Sequence, residues 1–127
     1  MKFYVAGKYC EKDIIRQVHT VLRKSGHDIT LNWTDHDIYP EDSPAEKMSQ
    51  FAKDDIEGVL SADAFVGILL NDHPYKGLWV EMGTALGKGM PCYLVGSAGD
   101  DCIFSNHYLV RKFNSLEDLY DYIKKIS

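Results

Sequence analysis

Hydrophobic positions recur along this chain with two periods that alternate. Between Glu11 and Ser25, apolar side chains return every three to four residues, which predicts a helix with one buried face. The run from Ala64 to Leu70 is almost continuously apolar, as in a central parallel strand that is covered on both faces. Strand and helix patterns follow one another in this way along the whole chain. They predict the order β-α-β-α-β-α-β-β-α, with a loop or short helix between the last two strands.

The element boundaries follow from glycines, prolines and capping residues. The predicted strands are 3–6, 28–33, 64–70, 90–95 and 109–113, and the predicted helices are 11–25, 43–61, 77–88 and one that begins after residue 115. Ser43 is expected as an N-cap with Pro44 at the first helical position, and Ser115 as a second N-cap. The aperiodic segment 34–43 between the second strand and the second helix is long enough to act as a lid.

This alternation predicts an α/β fold, a flavodoxin-like doubly wound parallel sheet of five strands in the order 2-1-3-4-5. The 127 residues suit a single domain over 1–127. In such a sheet the ligand lies beyond the carboxyl ends of strands 1 and 3. The rule selects residues 7–10 and 71–77 as candidate binding segments.

Charge and composition exclude several classes of function. Fourteen Lys and Arg against nineteen Asp and Glu give a net charge of −5, which argues against binding to a nucleic acid polymer or an anionic membrane. The longest apolar run is too short to span a bilayer, and the first residues resemble a strand rather than a signal peptide. Three scattered cysteines fit a reducing compartment. We therefore expect a cytoplasmic protein.

Familiar cofactor motifs are missing or malformed. The stretch 83–89 resembles a phosphate-binding P-loop but has the wrong glycine spacing and no Ser or Thr after its lysine. No G-x-G-x-x-G follows the first strand, and the five histidines do not form a metal-ligand pattern. No metal and no cofactor are expected.

Tyr4, Asp55 and Glu81 remain as a candidate catalytic group. Glu81 lies one turn into a helix that follows the third strand, where glycines before and after it let a substrate approach closely. Retaining glycosidases use a shielded glutamate with a second carboxyl nearby, and one of the two carboxylates attacks the anomeric carbon. The alternative is that Glu81 only complements the helix dipole and that Asp55 faces water.

The chain resembles the nucleoside 2-deoxyribosyltransferase family, which includes 2′-deoxynucleoside 5′-monophosphate N-glycosidases. The resemblance covers nearly the whole chain, and its most specific part is G-L-W-V-E-M-G-T-A at 77–85. It implies a flavodoxin-like core and a covalent deoxyribosyl–glutamate intermediate that passes to another base or to water. Glu81 corresponds to the nucleophile, Asp55 to the carboxylate that contacts the sugar and base side, and Tyr4 to the hydroxyl that orients the nucleophile.

The resemblance also suggests substrate-binding residues and an assembly. Ser105 falls where the monophosphate N-glycosidases use a serine of the partner subunit to bind phosphate, which implies a homodimer or a higher homo-oligomer. Lys8 could supply charge to a phosphate. Tyr9, Trp33 and Trp79 are candidates for stacking on a base, with ordinary core packing as the alternative. The expected substrate-binding residues are Gly7, Lys8, Tyr9, Asn71, Tyr75, Gly77 and Ser105.

The chain departs from the family at the position six residues before the nucleophile. The transferases carry an aspartate there and the nucleotide hydrolases a serine, whereas this chain has Tyr75. The first loop also lacks the glycines and arginines of the nucleotide hydrolases. The substrate is therefore expected to be a small nucleoside or nucleotide, with the base, the phosphorylation state and the acceptor left open. A nucleotide-binding module without turnover and a hydrolase of another ribosyl conjugate, such as one derived from NAD, are the alternatives.

Overall fold

The computed structural model describes residues 1–36 and 43–127, in which a parallel sheet is flanked by helices. The strands are β1 (Lys2–Ala6), β2 (Asp28–Ile29), β3 (Ala64–Ile68), β4 (Cys92–Val95) and β5 (Val110–Phe113). The α-helices are α1 (Lys12–Lys24), α2 (Ala45–Leu60), α3 (Lys76–Gly87) and α4 (Leu116–Ile126). Short 3-10 turns cover Tyr9–Glu11, Trp33–Asp35 and Ile103–Asn106.

The strand order is β2-β1-β3-β4-β5 and every pairing is parallel, which confirms the predicted fold. Strands β1 and β3 lie side by side, with Phe3 opposite Ala64 and Ala6 opposite Gly67. The chain leaves β1 toward one edge of the sheet and leaves β3 toward the other. The loops that follow these two strands therefore diverge and leave a crevice between them.

The two central strands form the core. All five residues of β3 and four of the five residues of β1 are buried. Helix α1 covers this part of the sheet with the apolar positions predicted from its periodicity, including Ile15, Val18 and Leu22, which are fully buried. Burial of a continuous apolar run on both faces of the sheet is the main source of stability in such a fold.

The structure confirms two predicted helix ends and shifts a third. Gly26 follows α1 with a φ of 88°, a left-handed conformation that ends a helix at little cost for glycine. The Ser115 hydroxyl accepts a 3.1 Å hydrogen bond from the Asp118 amide, as expected of an N-cap. Helix α2 begins one residue later than predicted, because Pro44 has an extended ψ of 152° and is itself the N-cap residue.

Strand β2 is shorter than the predicted 28–33. The chain leaves the sheet after Ile29, and Trp33 lies in a 3-10 turn that the Asn32 side chain caps through the Thr34 amide. The indole of Trp33 donates a 2.7 Å hydrogen bond to the Val5 carbonyl. The indole thus crosses the carboxyl end of β1 instead of extending a strand. Residues 37–42 of the predicted lid lie outside the described residues.

Within residues 1–36 and 43–127, no helix is both long and apolar enough to cross a membrane. The three cysteines, Cys10, Cys92 and Cys102, are free thiols. Cys92 is buried in β4 and Cys10 is exposed beside the crevice. No disulfide therefore contributes to the stability of this fold.

A substitution at Gly96 tests the packing at the end of β4. Gly96 has a φ of 99°, and a Cβ atom there would lie 2.2 Å from the Leu69 carbonyl oxygen. We expect Gly96→Ala to lower the free energy of unfolding by at least about 2 kcal/mol, measured by urea denaturation followed by circular dichroism. Gly87→Ala is the control, because nothing lies within 4 Å of a Cβ at that helical position. Equal stability of Gly96→Ala and the wild type would contradict this packing.

Candidate active site

A pocket of about 540 Å³ opens at the crevice beyond the carboxyl ends of β1 and β3. The turn after β1 forms one side, the start of α3 a second, and the first half of α2 a third. Tyr4, Asp55 and Glu81 all line it. The pocket lies where the predicted sheet order places a ligand.

A hydrogen bond joins Glu81 to strand β1, one of the two central strands of the sheet. The Tyr4 hydroxyl, on β1, donates to Oε2 of Glu81, on the second turn of α3. A Cβ at Gly77 would lie 3.8 Å from Oε1 of Glu81, so the missing side chain leaves room beside that oxygen. One carboxylate oxygen is thus bound by tyrosine while the other lies beside Gly77, which is itself part of the pocket lining.

Burial makes Glu81 a weaker acid than an exposed glutamate. Loss of hydration raises the pKa of Glu81 to about 8, the Tyr4 hydrogen bond opposes this rise, and the negative charge of Asp55 adds to it. Loss of hydration, followed by the charges of Glu81 and Asp55, also raises the pKa of Tyr4 far above its ordinary value. Tyr4 therefore stays protonated and remains a hydrogen-bond donor at every physiological pH.

Asp55 supplies the second carboxyl from α2. Burial and then the charge of its neighbour Asp54 raise the pKa of Asp55 to about 6. Its Oδ1 is buried and has no hydrogen-bond partner within residues 1–36 and 43–127. A buried polar atom without a partner is costly, and a ligand that donates a hydrogen bond there would remove the cost.

One wall of the pocket is aromatic and apolar. The rings of His36 and Phe51 stack with centroids 3.9 Å apart, and Trp33 lies in the same lining. Met48 and Phe51 of α2 line the pocket instead of packing in the protein core, and Met48 is 41% exposed. The apolar face of α2 therefore covers the ligand space in its first half and the sheet only further along. A flat heterocycle fits such a wall.

The rim of the pocket carries positive charge. Lys8 follows β1 and Lys76 begins α3, and both side chains belong to the lining, as does the thiol-bearing Cys10. Tyr9 lies beside them and donates a hydrogen bond to the His36 carbonyl. Two lysines at the mouth can attract an anionic group without a deep phosphate-binding loop.

The structure brings together most of the residues predicted for the site. Asn71 and Ser105 are exceptions, since neither lines the pocket. The Asn71 amide group donates to the Glu11 carboxylate, and the buried Ser105 hydroxyl donates a 2.8 Å hydrogen bond to the Cys102 carbonyl. Trp79 packs near Gly99 instead of facing the ligand space. The predicted residues in the lining are Tyr4, Gly7, Lys8, Tyr9, Trp33, Asp55, Tyr75, Gly77 and Glu81.

Sequence reasoning missed several residues of this region. His36 was predicted only as a loop residue, and Glu11 only as the first residue of the helix 11–25. Glu11 is instead 8% exposed and accepts a 2.9 Å hydrogen bond from Tyr75. The available signal was the acidic side chain of Glu11 in the short segment that joins the first strand to the first helix. Among the described residues, no group of three His, Cys, Asp or Glu side chains could hold a metal ion.

Comparison with known proteins agrees with this geometry. A family model described as nucleoside 2-deoxyribosyltransferase matches residues 3–119. No curated protein sequence matches the chain. The fold is similar to that of a 2-deoxyribosyltransferase from the psychrotolerant bacterium Bacillus psychrosaccharolyticus, with a TM-score of 0.72 and 20% identity over 96% of this chain and 92% of that one.

Two further solved structures share the fold. The CMP N-glycosidase of Clostridium botulinum superposes with a TM-score of 0.69 and 18% identity, and the alignment covers the whole of both chains. A conserved protein from Enterococcus faecalis has a TM-score of 0.64 and 20% identity over 100% of this chain and 99% of that one. At these identities the structural similarity establishes the fold alone.

Two conservative substitutions should move the pKa of Glu81 in opposite directions. Tyr4→Phe removes the hydrogen bond that favours the carboxylate, so the pKa should rise, whereas Asp55→Asn removes a repelling charge, so it should fall. Titration of the Glu81 carboxyl carbon by NMR measures both, with exposed Glu57→Gln as a control expected to cause no change. A shift in the same direction for Tyr4→Phe and Asp55→Asn would refute this arrangement of charges.

Proposed function

The chain belongs to the nucleoside 2-deoxyribosyltransferase family, and we propose that it cleaves the N-glycosidic bond of a 2′-deoxynucleoside or its 5′-monophosphate. The observation that carries this proposal is the convergence of Glu81, its hydrogen-bond donor Tyr4 and the second carboxyl Asp55 in one pocket. A pocket of about 540 Å³ is of the size that small-molecule sites usually have.

In the proposed first step, Glu81 acts as the nucleophile. Glu81 reacts in its ionised form, which the positive charge that develops at C1′ favours. Its carboxylate oxygen forms a bond to C1′ of the sugar while the bond from C1′ to the base nitrogen breaks. The electron pair of the broken bond leaves with the base, which takes up a proton. Asp55 is the side chain best suited to give that proton, since its pKa of about 6 keeps part of it protonated near neutral pH.

In the second step, the covalent sugar–glutamate ester is resolved by water or by a second base. The acceptor forms a bond to C1′, the ester oxygen leaves as the Glu81 carboxylate, and the proton of the acceptor passes to Asp55. Both steps proceed through positive charge at C1′, which the neighbouring carboxylate stabilises. The Tyr4 hydroxyl fixes the orientation of the carboxylate throughout.

The walls of the pocket support a nucleobase as the leaving group. The stacked His36 and Phe51 rings offer a flat apolar surface. Oδ1 of Asp55, which has no hydrogen-bond partner among the described residues, can accept a hydrogen bond from the substrate. Lys8 and Lys76 at the rim could attract a 5′-phosphate. The same rim also admits an uncharged nucleoside, so the assay must include both.

We also propose a homodimer or a higher homo-oligomer in the cytoplasm. The cytoplasmic location is supported by three free thiols. The assembly is supported by large apolar side chains left exposed in the segment around Ser105, since Ile103 is 76%, Phe104 60% and Tyr108 87% exposed. Ser105 of the partner subunit would then lie close to the interface.

Release of free base tests the proposed reaction. Deoxynucleosides, ribonucleosides, their 5′-monophosphates and NAD are incubated with the protein, with and without an acceptor base, and analysed by chromatography. We expect base release from at least one deoxy substrate, and a loss of about a thousandfold or more in Glu81→Gln. Intact-mass spectrometry should detect a deoxyribosyl adduct in the wild type.

The other outcomes of this panel identify the alternatives. Thermal protection by nucleotides without base release, unchanged in Glu81→Gln, would indicate a binding module. Release from ribosyl substrates or NAD alone would indicate another ribosyl hydrolase. Glu57→Gln is the matched control, because this glutamate is exposed on α2 and pairs only loosely with Lys53 at 4.0 Å.

A charge in the exposed apolar segment tests the proposed assembly. We expect Phe104→Asp to shift the wild-type oligomer to monomers in sedimentation velocity experiments, because a buried unpaired carboxylate opposes association. Ile126→Asp, on a partly exposed residue at the end of α4, should leave the oligomer intact. A monomeric wild type at micromolar concentration would refute the assembly.

A further inference from the structure

We propose that Glu11 is a positioning residue, whose carboxylate connects the turn after β1 to Asn71 and Tyr75 before α3 and thereby fixes the place of Glu81. We name the three residues Glu11, Asn71 and Tyr75 the clasp. The inference rests on the proposed function in so far as Glu81 is the nucleophile. It adds a second attachment for that residue, independent of Tyr4.

The clasp is a closed set of hydrogen bonds around one buried carboxylate. Oε1 of Glu11 accepts a 2.9 Å bond from the Tyr75 hydroxyl, and Oε2 accepts a bond from Nδ2 of Asn71. The Tyr75 hydroxyl oxygen in turn accepts a 3.3 Å hydrogen bond from the backbone amide of Asn71. His73 approaches the same carboxylate, with its Nε2 3.9 Å from Oε1. Each member of the clasp therefore contacts the other two.

Because Glu11 is buried, its carboxylate needs these hydrogen bonds. Its side chain is 8% exposed, and a carboxylate in such a place is tolerated only when donors replace its water. The donors come from the loop after β3, whereas Glu11 follows β1. The carboxylate therefore spans the crevice between the two loops that diverge at the switch point.

The backbone of Tyr75 shows what the clasp holds in place. Tyr75 has φ 49° and ψ 38°, the left-handed conformation that side chains other than glycine rarely adopt, and among the described non-glycine residues it alone has positive φ. Such a conformation persists only where the surroundings enforce it. Tyr75 is the N-cap residue of α3, and its carbonyl accepts the first helical hydrogen bond, from the Trp79 amide at 3.3 Å.

The position of α3 determines the position of Glu81. Glu81 is on the second turn of that helix, so a change at the N-cap alters its distance from both Tyr4 and the sugar. The clasp also occupies the Tyr75 hydroxyl, so that residue offers the ligand its ring rather than a free polar group. A single interaction thus places the nucleophile and determines the chemistry of the adjoining wall.

A double-mutant cycle tests the clasp. Glu11→Gln replaces the charged acceptor of the hydrogen bond with a neutral amide, Tyr75→Phe removes its donor, and each should lower kcat for base release about tenfold or more with a smaller change in KM. The double variant should lose less than the sum of the two single losses, because both substitutions act on the same interaction. Additive losses, or an unchanged kcat in Glu11→Gln, would overturn the proposal. Exposed Glu57→Gln is the control.

A second readout does not require activity. If the clasp positions Glu81 against Tyr4, Glu11→Gln should weaken that hydrogen bond and raise the pKa of the Glu81 carboxyl in an NMR titration. An unchanged titration would overturn the clasp even if the wild type is an active enzyme. A wild type that releases no base refutes the proposed function, and the titration still decides on the clasp. If Glu11→Gln fails to fold, the Glu81 carboxyl is titrated in Tyr75→Phe instead, and the same rise in its pKa is expected.

Discussion

The hydrogen bond from Tyr4 to Glu81 is the interaction on which the arrangement of this site depends. It joins the buried strand β1 to a helix that begins at the crevice, and it holds the Glu81 carboxyl in a place from which water is largely excluded. Tyrosine suits this place because burial and two nearby carboxylates keep its hydroxyl protonated. The bond therefore persists over the whole pH range in which Glu81 gains or loses its proton.

The fold explains why these groups meet. Parallel strands β1 and β3 end at the same edge of the sheet, and the chain turns away from them in opposite directions, so a tyrosine on β1 and a glutamate after β3 face one crevice. Helix α2 closes the third side, where residues 48–52 turn an apolar face and Asp55, one turn further along, turns its carboxyl toward the ligand space. Burial of the sheet and construction of the site thus use the same elements.

Periodicity predicted the sheet order because every strand and helix carries its own pattern. It also predicted that Glu81 lies on the helix after strand 3, at the crevice. Periodicity failed where side chains satisfy contacts distant in the sequence. Trp33 looked like a strand residue by alternation, yet its indole bonds to the Val5 carbonyl. Glu11 looked like a surface helix start, yet its partners are 60 and 64 residues away. Local sequence carries no information on such pairings.

The protonation of Glu81 joins the stability of the fold to its proposed chemistry. An acid whose pKa rises from 4.5 in the unfolded chain to about 8 in the folded one binds its proton more tightly when folded. The free energy of unfolding therefore declines as the pH rises through that interval, since ionisation favours the unfolded chain. A sugar that develops positive charge beside Glu81 lowers the cost of ionising it, because the positive charge stabilises the carboxylate. The environment that makes ionised Glu81 costly in the empty pocket is thus the one in which its charge acts most strongly on a substrate.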